Sequence, residues 1–202
     1  APETARRAGP ARSPQKGTPA MSTISVVAAV VRTVFSTAVG LLLGSIGGPV
    51  GMIIGAAVGV ALGLTHGICT ARAASYPSTA RGWWLLVVDQ TWSLINTMAA
   101  SIYLAVNLIT GNRIDRSQSA GRTSLVLQKG VFPGFATTIG NVEAGTSPGI
   151  AQHEYAHVFQ ARLFGPTYLV LVAANYVLAT ILPYFLLSSS VRQRIDSFGD
   201  YF

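Results

Sequence analysis

Glycine recurs every fourth residue, without a break, at Gly47, Gly51, Gly55, Gly59, Gly63 and Gly67. A spacing of four places these residues on one slowly drifting face of a helix. With no side chain on that face, a second backbone can approach it closely. A shorter series, Gly40, Gly44 and Gly48, precedes it. Both series lie in apolar runs, residues 23–43 and 50–68, separated by a turn signal at Gly47-Gly48-Pro49. The pattern predicts two helices that fold back on each other. Gly47, Gly51, Gly55, Gly59, Gly63 and Gly67 are the expected packing face.

This pattern resembles a glycine zipper, a signature of tight helix packing in membranes. Half of the 202 residues are hydrophobic, only 10% are charged, and the mean hydropathy is +0.47. An ordinary soluble domain carries about 25% charged residues. Here the apolar residues are gathered in long runs, as membrane spans require. Arg32 is the only charge in the first run. It must face protein, snorkel or meet an acid, because a charge at mid-span is costly. Four runs are expected to cross the membrane, which makes the chain an integral, multi-pass, all-α membrane protein. The divisions are a disordered basic tail at 1–22, the glycine hairpin at 23–69, a third apolar helix at 83–109, an extramembrane loop at 110–166, a last span at 167–188 and a tail at 189–202.

The third run begins at Trp83-Trp84, an interfacial anchor, and carries a polar stripe of Asp89, Ser93, Asn96 and Asn107. An acid inside a span marks function by default. Asp89 has three open roles: metal ligand, acceptor for a ligand histidine, or partner of Arg32. Residues 123–128 and 135–142 have strand-like content and predict a small β-hairpin across residues 129–134. Ser147-Pro148 is a plausible helix entry, and Gly165-Pro166 a helix stop.

The chemistry is concentrated in His153-Glu154-Tyr155-Ala156-His157. The chain has three histidines and seven acidic residues, and this pentapeptide holds two of the first and one of the second. On a helix, residues i and i+4 share a face, so both imidazoles can reach one metal ion. The stretch from Ile150 to Phe159 resembles the zincin metallopeptidase signature. That resemblance implies that His153 and His157 bind zinc and that Glu154 is the general base. It also implies a third ligand, which must come from Asp89, Glu143 or His66. Arg162, Tyr155 or Tyr168 would face the oxyanion. The expected function is a membrane-embedded zinc hydrolase acting on a peptide at the membrane face. The alternative is a non-catalytic glycine-zipper protein acting as an oligomeric scaffold, pore or subunit of a larger complex.

The net charge of +7 is scattered through tails and loops. No basic helix and no basic–aromatic interleaving points to nucleic acid. The natural partner for these charges is the anionic lipid surface of the bilayer. Cys69 is the only cysteine and forms no internal disulfide.

Overall fold

The computed structural model describes residues 22–131 and 135–182. The expectations for the basic tail, for residues 132–134 of the hairpin turn, for the end of the last span (183–188) and for the 189–202 tail fall outside the described residues, wholly or nearly so. The chain is mainly helical. Helix α1 (Thr23–Gly44) starts at Ser22, whose side chain accepts a hydrogen bond from the Ser25 backbone. A short 3-10 turn, Ser45–Gly47, leads into α2 (Gly48–Ala73), which has Pro49 in its first turn.

The two helices form the expected hairpin. A Cβ built on Gly40 would overlap the backbone of Gly55, one on Gly44 the backbone of Gly51, and one on Gly59 the backbone of Ser36. Partner numbers fall along α1 as they rise along α2, which makes the arms antiparallel. Gly63 and Gly67 meet Thr33 and Ala29 in the same way. Gly47 is the exception. It lies in the turn, where an added Cβ would meet nothing. The packing face therefore runs over Gly51–Gly67 on α2 and includes Gly40 and Gly44 on α1.

Two helical stretches are long and apolar enough to cross a membrane: Thr23–Ala73, which is this hairpin, and the 29-residue stretch Ala151–Ala179. The third apolar run is not a straight span. It is split into α3 (Ala80–Gln90) and α4 (Leu94–Ile109), which meet at 87°. No glycine or proline makes this break. It is held by side chains: Thr97 Oγ1 donates to the Asp89 carbonyl (2.7 Å), while Ser93 Oγ and Asn96 Nδ2 donate to the Ala161 carbonyl. The Thr97 bond satisfies a carbonyl at the end of α3, and the other two tie the break to α6.

After the one-turn helix α5 (Arg116–Ser119) come β1 (Leu125–Leu127), β2 (Thr137–Ile139) and β3 (Val142–Ala144). They form one sheet in the order β1-β3-β2. The expected hairpin between residues 123–128 and 135–142 does not form. Instead β2 and β3 are the antiparallel pair, and β1 runs parallel to β3. The turn is Gly140-Asn141, with Gly140 at φ 54°, in the left-handed region glycine favours. A two-residue Gly-Asn connection is a strong hairpin signal.

Helix α6 (Ala151–Phe164) carries the histidines and ends at Gly165, as expected. It begins after a turn closed by Ile150 N–H to Ser147 O, with no side-chain cap. A 3-10 turn, Gly165–Thr167, joins it to α7 (Tyr168–Tyr176), so the histidine helix and the last apolar helix form one stretch.

The distribution of polarity is inverted relative to a water-soluble protein. Arg32, His66, Asp89, Asn96 and Ser101 are buried, while Val30, Leu42, Ile53, Trp84, Ile109 and Val170 are exposed. Such a surface suits a hydrocarbon solvent.

Candidate metal centre

His153 and His157 lie one turn apart on α6, and their rings converge. The two Nε2 atoms are 3.1 Å apart and the rings meet edge to face. Two nitrogens at about 2.0–2.1 Å from one tetrahedral ion stand about 3.3 Å apart. The pair thus has the bite of a chelate. His157 Nδ1 also lies 3.0 Å from Gln160 Oε1.

Glu154 projects away from solvent and is buried. Thr138 Oγ1 on β2 donates to its Oε2 at 2.6 Å. This contact seats the edge strand of the sheet against the histidine helix.

The acids expected to supply a third ligand are used elsewhere. Asp89 forms a two-pronged pair with Arg162: Nε to Oδ1 and Nη2 to Oδ2, both at 2.8 Å. Tyr76 Oη donates to Asp89 Oδ2 as well. Arg32 reaches the same cluster from α1, bonding Thr70 Oγ1 at 2.8 Å and Tyr76 Oη at 3.2 Å. So Arg32 faces protein, and it meets Asp89 only through Tyr76. Burial, then the Asp89 carboxylate, push the Tyr76 hydroxyl up to about 12, although Arg32 and Arg162 pull the other way. Arg162, expected near an oxyanion, is instead buried in this cluster, where it also bonds Thr123.

Glu143 is engaged in the same manner. Arg122 bonds both its oxygens, at 2.9 and 2.8 Å, and Ser124 Oγ donates to Oε1 at 2.6 Å. The Glu143 hydrogen bond raises Arg122 above its ordinary value, against the effect of burial. Arg122 then donates to the Ala151 carbonyl at 2.6 Å. His66 is fully buried, with Nδ1 2.7 Å from Ser101 Oγ. Among the described residues, no group of three or more His, Cys, Asp and Glu side chains is gathered as a metal would require.

Asp89 and Glu143 are therefore each paired with an arginine in this structure. Arg122 holds the first turn of α6 and Arg162 anchors its last turn, so the two ion pairs clamp the histidine helix at both ends. Tyr155 is held on another side of α6, with Arg122 stacked 4.9 Å over its ring and Arg81 donating to its hydroxyl. Reading the sequence missed Arg122, Thr138 and Gln160. The last was open to detection, since Gln160 stands three residues after His157, a helical neighbour position.

Comparison with family models, curated proteins and solved structures returned no match.

Proposed function

We propose that this chain is an integral, multi-pass membrane protein and a zinc-dependent hydrolase that cleaves a peptide at the membrane face. The observation that carries this reading is the 3.1 Å approach of the two Nε2 atoms within an H-E-x-x-H helix. His153 and His157 would hold the zinc ion through their two facing nitrogens, and the ion would supply a Lewis acid that makes water nucleophilic near neutral pH.

Glu154 is the general base. Thr138 fixes one of its oxygens, and the carboxylate takes the proton of the attacking water and delivers it to the leaving amine. Arg122 ties α6 to Glu143 on β3 and Arg162 ties it to Asp89 on α3, which holds the helix that carries Glu154 and the histidine pair against the sheet. The continuity of α6 with the apolar α7 supports a site close to the bilayer surface.

The second reading is a non-catalytic scaffold, homo-oligomeric or part of a membrane complex. It is favoured by the engagement of Asp89 and Glu143 with arginines, which leaves the histidine pair without an acid as third ligand. It is weakened by the glycines, whose open face is already filled by the other arm of the same hairpin.

Metal analysis of protein purified without a histidine tag separates the two. The hydrolase reading expects bound zinc, its loss in His157→Ala, and retained zinc without hydrolysis in Glu154→Gln. Metal-free wild type, after incubation with zinc and removal of the excess, would overturn it.

A further inference from the structure

Gln160 has a part in the histidine pair that follows from which of its atoms faces His157. That atom is the amide oxygen, 3.0 Å from Nδ1. An amide oxygen only accepts hydrogen bonds, so this contact is a hydrogen bond when Nδ1 carries the proton. A neutral imidazole protonated at Nδ1 has its lone pair at Nε2. That nitrogen is the one that meets His153 Nε2 at 3.1 Å. In the metal-free ring pair the contact is then a hydrogen bond from His153 Nε2–H to the His157 lone pair.

We infer that Gln160 is a positioning residue that fixes the tautomer and rotation of the His157 ring, presenting the Nε2 lone pair to the point both histidines face. Its consequence for metal binding rests on the zinc reading given above. Its effect on the ring does not. A histidine ligand held through its other ring nitrogen by a carbonyl or carboxylate keeps its orientation, and loss of such a partner weakens metal affinity by about 10–100-fold. Gln160 is itself exposed, so its replacement disturbs no core packing.

The test uses the full chain in detergent, with 15N-labelled histidine, before and after zinc titration against a competing chelator. Metal-free wild type is expected to show His157 protonated at Nδ1. Gln160→Leu should shift that ring toward the Nε2–H form and weaken zinc binding by about 10–100-fold. Gln160→Glu keeps an acceptor and should preserve both the tautomer and the affinity. An Nε2–H ring in the metal-free wild type, or an unchanged ring in Gln160→Leu, would overturn the inference. If wild type shows the Nδ1–H ring but takes no zinc, the hydrolase reading fails and the role of Gln160 stands.

Discussion

At Asp89 one carboxylate faces Arg162 directly and Arg32 through the Tyr76 hydroxyl, all of them buried. Breaking a buried pair from one side strands the other charge, at a cost of about 3–5 kcal/mol. Arg162→Met should therefore destabilise the detergent-solubilised protein by that amount. The double variant Arg162→Met with Asp89→Asn should recover part of the loss. Chemical denaturation of the two variants checks the order, and equal stability would show that Asp89 finds another cation. A smaller effect belongs to Asp115. Partial burial raises its pKa, but hydrogen bonds from Ser117 and Gln118 outweigh this and hold it below the usual carboxylate value. A depressed folded-state pKa adds stability that is present above about pH 4 and fades as pH falls through the folded value. Asp115→Ala should cost about 1 kcal/mol at neutral pH. It should also flatten the acid limb of the stability profile.

The elements follow local signals where packing is local. Gly55→Leu or Gly59→Leu would drive a side chain into the backbone of the opposite arm, with no flexible neighbour to yield. Either variant should lose more than about 3 kcal/mol, the upper end of ordinary overpacking. Unchanged thermal stability would remove the packing role. The hairpin was legible because glycine spacing and the Gly47-Gly48-Pro49 turn act within one stretch of chain. The end of α6 was legible for the same reason, from Gly165-Pro166. The break between α3 and α4 was not, because Thr91-Trp92-Ser93 carries no breaker. Its cause is remote: the Ala161 and Gly165 carbonyls, which accept from Asn96. The strand pairing was half legible. Gly140-Asn141 announced a turn, but reading residues 135–142 as one strand ran across it. The histidine pair was legible from the i, i+4 spacing alone. The partners of Asp89 and Glu143 were not, because Arg162 and Arg122 lie 73 and 21 residues away in the chain.

For the whole molecule, the exposed surface is the apolar one. The hairpin, α3–α4 and α7 turn large aliphatic and aromatic groups outward, Leu42, Ile53, Trp84, Ile109 and Val170 among them. A surface of this kind is stable against lipid and associates in water. The protein should therefore stay with the membrane fraction through high-salt and alkaline washes and leave it only with detergent. Release by either wash would argue against an integral protein. Ser45→Cys, placed in a Cys69→Ala background, tests whether the hairpin crosses. If the hairpin spans the bilayer, a membrane-impermeant maleimide should label it from one side only, the side opposite Arg72. Labelling from the side of Arg72 would show that the tip does not cross.

The reach of Arg32 bears on how the chain enters a bilayer. Its guanidinium leaves α1 for Thr70, near the end of α2, and for Tyr76, beyond it. While only the first arm has been synthesised, that cation has neither partner, and a lone arginine at the centre of a helix adds about 2.5–3.5 kcal/mol to insertion. The penalty is relieved only once Tyr76 has emerged and the second arm lies along the first. If the hairpin enters a bilayer, pairing of the two arms offsets that penalty, and a nascent chain truncated before residue 70 should insert less efficiently than one that includes Tyr76.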